Sequence, residues 1–269
     1  MSRSDLLDAA VSAARLGGDL IAGRFGQRVG ANDLGPSAKG PGDYVTATDH
    51  ASEEAIRDAL AAAAPDIPFF GEEQGGIRAE IGWIVDPLDG TANFLHGFPA
   101  VGVSVALVES GRPVVAVVHA PVLGQTWTAT EGGGAHCDGV PIRVSDREVA
   151  HAICGTGFPF KAKPQLGVYL AMFEAAFRRF EDLRRPGAAS LDLAWVAGGV
   201  FDGFFELSLG PWDVAAGALL IREAGGVVTD WRGDESAWLE TGDILVGPPT
   251  VHAALLELAA GALSVAQDE

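Results

Sequence analysis

The stretch from Trp83 to Phe94 constrains this chain more than any other part of the sequence. It opens as an apolar run, the pattern of a buried strand, and the run stops at Asp86, which a proline follows. Asp89, Gly90 and Thr91 come next, and apolar side chains then resume. A strand, an acidic corner and a helix start in that order can hold a cation beside a phosphate group.

The two aspartates of this corner are three residues apart. If a helical turn begins there, both carboxylates lie on one side and can share metal ions. Hard divalent cations such as Mg²⁺ bind carboxylate and carbonyl oxygens, so the Leu88 carbonyl is a further candidate ligand. The amides of Gly90 and Thr91 are candidate donors to phosphate oxygens. Taken alone, the pattern fits a plain acidic turn better than a metal site.

Two more acidic positions share this context. Glu72, which Glu73 follows, comes at the end of a short apolar run, and Asp213 follows Pro211 and Trp212 where a helix is predicted to begin. Carboxylates that an apolar scaffold places at such junctions are costly unless they are paired or bind a metal. Three such junctions favour a metal cluster over three independent caps, although Asp213 also fits a simple N-terminal helix cap.

Composition narrows the classes of function. The chain has 269 residues, a hydrophobic content of 48% and a formal net charge of −18. That charge argues against nucleic acid as a primary ligand, since phosphate backbones need clustered Lys and Arg. An acidic protein that binds a phosphate ester needs local cations, which bound metal ions would supply. No signal peptide and no apolar run long enough to span a bilayer is evident, so we expect a cytoplasmic protein without membrane contact.

The order of predicted elements indicates the fold class. A helix over residues 4–25, a loop from Gly26 to Gly42 and a second helix capped by Thr46 or Thr48 open the chain. Antiparallel strands follow as far as about residue 140, whereas strands and helices alternate beyond His151. This order favours an α+β protein with stacked layers of helix and sheet. We predict a single domain over residues 1–269, with two sub-lobes that divide near residue 150.

Several segments together resemble the inositol monophosphatase-like family of Mg²⁺-dependent, lithium-sensitive sugar phosphatases. They occur in the family's order over nearly the whole chain, at residues 43–49, 71–73, 83–94, 132–137 and 211–217. The central corner paired with the later Trp-Asp-x-Ala-Ala-Gly is highly specific. The Asp-x-Asp-x-Thr corner of haloacid dehalogenases is close, but the two aspartates here are one residue too far apart. The resemblance implies an αβαβα sandwich, with mixed and antiparallel sheets between helix layers.

The resemblance also implies metal ligands, position by position. Glu72, Asp86 and the carbonyl of Leu88 would bind the first, activating Mg²⁺. Asp86, Asp89 and Asp213 would bind the second, and Glu72 with a water network would serve a looser third site. Two to three ions would lower the pKa of the attacking water and neutralise charge on the phosphate.

The same resemblance implies which residues act on the attacking water. Thr91 and Asp49 would orient the water and help to deprotonate it, and Glu72 counts as catalytic through the metal that it binds. This chemistry needs no protein nucleophile. Lys39 lies in the predicted loop, which in relatives closes over the metals; a solvated lysine is an equally good interpretation.

Substrate contacts in relatives come from the segment that matches residues 184–190 and from an acid that matches Glu206. The residues expected to bind substrate are therefore Gly187, Ala188, Ala189 and Glu206, together with Asp89, Gly90, Thr91 and Asp213. Glu206 could accept hydrogen bonds from sugar hydroxyls, or it could be an exposed charge at a strand end. Relatives commonly carry Ser or Thr after the glycine, where this chain has Ala188, and a hydroxyl reappears at Ser190. The exact substrate therefore stays open.

The predicted function is Mg²⁺-dependent hydrolysis of a small polyol or sugar phosphate by in-line attack of a metal-activated water, with inositol monophosphate as the leading substrate. Fructose 1,6-bisphosphate, histidinol phosphate and 3′-phosphoadenosine phosphate are alternatives within the same chemistry. An alternative of another class is a non-catalytic regulatory protein that contacts transcription or RNA-processing partners, as some bacterial members of the family are thought to do. The resemblance also implies a homodimer.

Overall fold

The computed structural model describes residues 1–27, 37–40, 43–160 and 162–265, with the backbone alone at 37–40, 43–45 and 265. Its helices are α1 (Arg3–Arg24), α2 (Ala47–Ala63), α3 (Thr91–His96), α4 (Leu166–Arg179), α5 (Ala189–Ala197), α6 (Pro211–Glu223), α7 (Trp238–Thr241) and α8 (Pro249–Val265). Its strands are β1 (Ser37–Gly40), β2 (Asp43–Val45), β3 (Phe69–Gly71), β4 (Gly75–Gly76), β5 (Ile81–Asp89), β6 (Gly102–Glu109), β7 (Arg112–Ala120), β8 (Gln125–Thr130), β9 (Gly134–Cys137), β10 (Val140–Pro141), β11 (Ile153–Thr156), β12 (Asp182–Arg184), β13 (Gly203–Glu206), β14 (Val227–Thr229) and β15 (Ile244–Gly247). Within these ranges, no helix has the length and apolarity that crossing a membrane requires.

Five layers of helix and sheet stack on one another. α1 and α2 cover one face of an eight-stranded sheet. α5 and α6 lie between the other face of that sheet and a five-stranded sheet. α4 and α8 cover the remaining face of the five-stranded sheet. The predicted α+β class and the αβαβα sandwich are confirmed.

Alternation of side chains along the strands explains this layering. In β5, Trp83 and Val85 belong to the core under α1 and α2, whereas Ile84 between them belongs to the core with α5 and α6. Phe204 and Phe205 of β13 divide in the same way between the two faces of the second sheet. Because successive side chains of a strand point to opposite faces, these apolar runs form strands that are buried on both sides.

The strand order determines which chain ends meet. The first sheet runs β10-β9-β8-β7-β6-β5-β3-β4, and all neighbours are antiparallel except β3 and β5. The second runs β12-β11-β13-β15-β14, and β11 is parallel to both of its neighbours. The carboxyl end of β3 therefore lies beside Val85 of β5.

The predicted loop from Gly26 to Gly42 is wrong in part. Its residues 37–40 form β1, which pairs antiparallel with β2, while residues 28–36 and 41–42 lie outside the described part of the chain. The sequence Ser-Ala-Lys-Gly of β1 has no apolar alternation, so its composition indicates a loop. Lys39 lies in β1, and its side chain is also outside the described residues.

Candidate active site

The parallel pairing of β3 with β5 brings Glu72 and Asp86 together. β3 is parallel to β5 with Gly71 opposite Val85, so the residues that follow, Glu72 and Asp86, lie next to each other. The Glu72 amide donates to the Val85 carbonyl at 3.2 Å, which continues the pairing one residue beyond β3. Parallel pairing is therefore the physical reason that two acids 14 residues apart meet.

A β-bulge places Asp86 and Asp89 on the same face of the sheet. Opposite them on β6 lie Ser104 and Gly102, which are two residues apart, whereas the aspartates are three apart. The extra residue in β5 restores the two-residue alternation, so both carboxylates point to one side. The predicted helical turn at this point is wrong, because the chain stays in β5 as far as Asp89 and α3 begins only at Thr91.

The start of α6 brings Asp213 to the same corner. Asp213 is the third residue of α6, and its Oδ2 accepts a hydrogen bond from the Gly210 amide at 2.7 Å. The Ser104 hydroxyl donates to the Trp212 carbonyl at 2.8 Å, and Ser104 lies opposite Asp86 in the sheet. The N-cap residue is Gly210, and Asp213, as the third residue of the helix, accepts from its amide. Asp213 is therefore not the N-cap itself, and its carboxylate also lies at the acidic corner.

Three carboxylates converge at this corner. Asp86, Asp89 and Asp213 each offer an oxygen within 4.8 Å of the others, and the first two residues are only 1% and 8% exposed. Burial raises the pKa of Asp86 well above its usual value, and the negative charges of Glu72, Asp89 and Asp213 raise it further. Like charges buried this closely are stabilised when a cation lies among them. An all-oxygen donor set fits a hard cation such as Mg²⁺.

Asp49 and Thr91 form a hydrogen-bonded pair beside the cluster. Thr91 Oγ1 donates to Asp49 Oδ1 at 2.9 Å and lies 3.2 Å from the Leu88 carbonyl oxygen. Asp49 Oδ2 accepts from the amide and the hydroxyl of Thr46 at 2.8 and 2.5 Å, at the start of α2. Burial raises the pKa of Asp49, and the hydrogen bonds from Thr46 and Thr91 oppose that rise. Both oxygens of this buried carboxylate are therefore oriented by the protein.

A cavity of about 130 Å³ opens beside Asp213. Glu206, at the end of β13, lines this cavity together with Phe158, Phe160 and Arg185. The Arg185 guanidinium lies 5.3 and 5.5 Å from the centres of the two phenylalanine rings. The cavity thus combines a carboxylate, a cation held over aromatic rings and one acid of the cluster, which is a suitable lining for a small hydroxylated molecule.

Two glycines in the left-handed region shape the backbone near the corner. Gly90 has φ +86°, and a Cβ there would lie 2.7 Å from the Ala100 carbonyl oxygen. Gly187 also has φ +86°. The Asn93 side-chain amide donates to the carbonyls of Ala100 and Pro186 at 2.7 and 2.9 Å. Asn93, which lies in the central motif but was not assigned a role from the sequence, therefore ties the corner to the turn at Gly187.

The segment after Gly187 carries its hydroxyl at Ser190 and has an alanine at position 188. Ala188 and Ala189 are buried, with 0% and 7% of the whole residue exposed, and the Ala188 carbonyl accepts a hydrogen bond from the Asp192 amide at 3.0 Å. The Ser190 hydroxyl and amide both donate to Asp89 Oδ2, at 2.5 and 2.7 Å. The hydroxyl at Ser190 therefore orients a carboxylate of the cluster.

Asp192 is another acid near the site, and the sequence pattern did not predict a role for it. It lies in α5 and is fully buried, and its Oδ1 has no hydrogen-bond partner in the part of the chain that the structure describes. Burial raises its pKa well above the usual value, and the charges of Glu206 and Asp89 raise it further. An aspartate in a short helix is usually a solvated residue, so no local pattern distinguishes this one.

Comparisons with known proteins extend over the full length of the chain. A sequence model of the inositol monophosphatase family matches residues 2–264. An inositol-1-monophosphatase of Rhizobium meliloti is 44% identical over 262 residues, which cover 96% of this chain and 97% of that protein. The Nus factor SuhB of Escherichia coli is 43% identical over 255 residues, 93% of this chain and 94% of that protein. The crystal structure of the extragenic suppressor protein suhB from Bartonella henselae matches with a TM-score of 0.88 at 37% identity, covering 94% of this chain and 98% of that one.

Proposed function

The chain belongs to the inositol monophosphatase family, and from this we propose that it is a Mg²⁺-dependent phosphatase that hydrolyses a small polyol or sugar monophosphate. Inositol monophosphate is the leading candidate. The observation that carries the proposal is the convergence of Asp86, Asp89 and Asp213 beside a cavity that Glu206 lines. The cluster supplies the negative charge that a cation needs, and the cavity offers room next to it for a small leaving group.

Residues from three elements would hold the metal ions. Glu72, Asp86 and the Leu88 carbonyl are the proposed ligands of one Mg²⁺, and Asp86, Asp89 and Asp213 those of another, with Glu72 also serving a looser third site. Bound Mg²⁺ would lower the pKa of a water molecule and neutralise charge at the attacking and leaving oxygens of an in-line displacement. Inhibition by lithium is proposed from the family resemblance.

Asp49 and Thr91 would orient the attacking water. The Thr91 hydroxyl already donates to Asp49 Oδ1, so its oxygen can accept a hydrogen bond from a water molecule on its other side. A proton released by that water would pass to the Thr91 oxygen, while the Thr91 proton passes to Asp49. The amides of Gly90 and Thr91 and the segment 187–189 are the proposed contacts to the substrate.

Thr91 offers a direct test of the proton path. Thr91→Val keeps the shape of the side chain but removes the hydroxyl, so we expect kcat to fall about a hundredfold, the lower end of general acid–base contributions. Thr91→Ser keeps the hydroxyl and is expected to stay close to the wild-type kcat. Steady-state phosphate release at saturating Mg²⁺ measures both, and a Val variant as active as the Ser variant would contradict the assignment.

Glu206 offers a test of substrate binding. Glu206→Gln loses a charged acceptor for a sugar hydroxyl, so KM for inositol 1-phosphate is expected to rise about tenfold, the equivalent of one such hydrogen bond. KM for an aryl phosphate without hydroxyls is expected to stay unchanged, because it makes no such bond. Glu181→Gln changes an exposed glutamate in the same way and serves as the control. An equal rise for both substrates would place Glu206 outside hydroxyl recognition.

The experiment that tests the proposal as a whole is a panel of phosphate-release assays. The purified protein is assayed with inositol 1-phosphate, fructose 1,6-bisphosphate, histidinol phosphate and 3′-phosphoadenosine 5′-phosphate, with Mg²⁺ and with excess EDTA. We expect Mg²⁺-dependent release and the highest kcat/KM with inositol 1-phosphate. A different preferred substrate would correct the substrate alone, whereas no release from any of the four would contradict the phosphatase assignment.

A regulatory role is the second candidate, since a relative 43% identical to this chain is named Nus factor SuhB. The partner would be a protein of the transcription machinery, because the net charge of −18 disfavours direct contact with nucleic acid. Complementation separates the two roles: a strain that lacks the gene receives either the wild-type chain or an inactive active-site variant. Full rescue by the inactive variant would favour the regulatory role, and failure to rescue would favour catalysis.

A homodimer is also proposed, as the family resemblance implies. Among the described residues of α4, Leu166, Leu170 and Phe177 are 48%, 52% and 70% exposed, which leaves an apolar surface available for burial. Light scattering coupled to size exclusion would give twice the mass of the chain if the proposal holds.

A further inference from the structure

Glu53, on α2, lies behind the loop that carries Glu72. Its side chain is fully buried. Oε2 accepts a hydrogen bond from the Glu73 amide at 2.8 Å, and Oε1 accepts one from the Gln74 amide at 3.0 Å. One carboxylate on a helix therefore binds the two consecutive amides that follow Glu72.

The backbone of Glu72 is consequently held on both sides. Its own amide is bonded to the Val85 carbonyl of β5, and the next two amides are bonded to Glu53. Gly71, which precedes Glu72, approaches Glu53 so closely that a Cβ would lie 2.4 Å from Oε2. The direction in which Glu72 extends toward Asp86 depends on the position of this backbone, and ligand sites tolerate displacements of only about 0.5 Å.

Arg57 compensates the buried charge of Glu53. Its Nη2 lies 2.9 Å from Glu53 Oε1, one helical turn along α2, and its guanidinium lies 4.5 Å from the centre of the Phe69 ring in β3. A buried ion pair of this kind adds little net stability, because desolvation offsets the attraction. The carboxylate provides something that a neutral side chain of the same shape does not, namely an acceptor at both ends of its fork for two adjacent amides.

We propose that Glu53 is a positioning residue for the cation site, which holds the Glu72 loop so that Glu72 lies beside Asp86 for binding of Mg²⁺. The inference rests on the proposed role of Glu72 as a metal ligand. Glu53 is not among the proposed ligands: its oxygens accept from the amides of Glu73 and Gln74 and from Arg57, and it is not one of the three converging carboxylates. Its loss should therefore weaken Mg²⁺ binding more than it slows the reaction of the Mg²⁺-saturated protein.

The test is Glu53→Gln, which keeps the size of the side chain but turns one acceptor into a donor that faces an amide. Melting temperature is measured as Mg²⁺ is added without substrate, and phosphate release is measured over the same Mg²⁺ range. We expect two quantities to rise about tenfold or more, as for other outer-shell residues of metal sites: the Mg²⁺ dissociation constant obtained from the rise of melting temperature with Mg²⁺, and the half-saturating Mg²⁺ concentration for phosphate release. We expect kcat at saturating Mg²⁺ to change far less.

Two control variants separate positioning from general destabilisation. Glu54→Gln makes the same chemical change at the next, exposed residue and is expected to match the wild type. Arg57→Met leaves the buried Glu53 carboxylate without a cation, so we expect a lower melting temperature in EDTA. Both amide bonds to Glu53 remain, so we expect an unchanged half-saturating Mg²⁺ concentration. If Glu53→Gln has the same half-saturating concentration as Glu54→Gln, the inference is wrong.

A further measurement uses the wild type alone and tests whether Glu53 holds the Glu72 loop even if Glu53→Gln does not fold. Amide hydrogen exchange at Glu73 and Gln74 is expected to be slow in the Mg²⁺-free protein, because the buried carboxylate holds both groups; exchange as fast as in an open loop would overturn the inference. A wild type whose melting temperature does not respond to Mg²⁺ would contradict the proposed function itself. A normal wild-type response with an unshifted Glu53→Gln contradicts only the positioning role.

Discussion

Asp89→Asn is expected to lower kcat for phosphate release by about a thousandfold, equivalent to about 4 kcal/mol of transition-state stabilisation. Asp89 Oδ2 accepts hydrogen bonds from the Ser190 amide and hydroxyl, and the oxygen of an asparagine can keep both. The amide nitrogen then replaces the other carboxylate oxygen, and an amide nitrogen does not bind Mg²⁺. The chemistry is therefore lost while the packing around Ser190 is kept.

The measurement compares kcat at increasing Mg²⁺ for Asp89→Asn, the wild type and Asp66→Asn, which makes the same change at an exposed aspartate outside the site. Thermal unfolding checks that the inactive variant is folded, with a melting temperature in EDTA no lower than that of the wild type. Retention of most activity at high Mg²⁺ would refute the role of Asp89 as a metal ligand.

Glu72, Asp86 and Asp213 could be predicted because each lies where a recognisable strand or helix pattern stops or begins. Apolar runs that stop at Glu72 and Asp86 indicate buried strands, and Pro211 before Asp213 indicates a helix start. A strand or helix determines the position of the residue at its end. The packing of strands and helices then determines which of these residues lie close together. The order of predicted elements indicates stacked layers of helix and sheet, whereas the αβαβα arrangement was implied only by the family resemblance.

The residues that support these acids were not predictable, because their roles depend on contacts without a local signature. Ser190 is 101 residues from Asp89 in the chain, and nothing near it indicates a carboxylate partner. Glu53 lies on the face of α2 that also carries Ile56 and Leu60, three and seven residues further on, so its spacing places it on the buried face. Nothing near it in the sequence indicates its partners, the amides of Glu73 and Gln74, which are 20 and 21 residues away. The bulge in β5 was missed for a related reason, since one extra residue in a strand leaves the apolar pattern almost unchanged.

The second large effect expected is on stability, and its sign depends on the metal. Asp86→Asn is expected to raise the free energy of unfolding of the Mg²⁺-free protein by about 1–2 kcal/mol, because it removes one of several like charges that are buried together. For a chain of this size that corresponds to a melting temperature about 2–6 °C higher in EDTA. The asparagine can keep the hydrogen bond from the Leu88 amide, now 2.9 Å from Asp86 Oδ1. In excess Mg²⁺ the order is expected to reverse, since ligand binding stabilises only the protein that binds it.

The pH dependence gives an independent check of the same cluster. The folded protein raises the pKa of Asp86 above its unfolded value, so the folded state binds more protons than the unfolded state once the pH exceeds the unfolded pKa. The Mg²⁺-free wild type should therefore lose stability as the pH rises from about 4 toward the folded pKa, and Asp86→Asn should lose less.

Unfolding in denaturant at several pH values, in EDTA and in Mg²⁺, measures how the free energy of unfolding of each protein changes with pH, with Asp66→Asn as the control. Two outcomes would contradict a metal site at these carboxylates. If Asp86→Asn melts below the wild type in EDTA, the repulsion between the buried carboxylates is already relieved within the protein. If Mg²⁺ raises the melting temperature of Asp86→Asn as much as that of the wild type, Asp86 does not bind the ion.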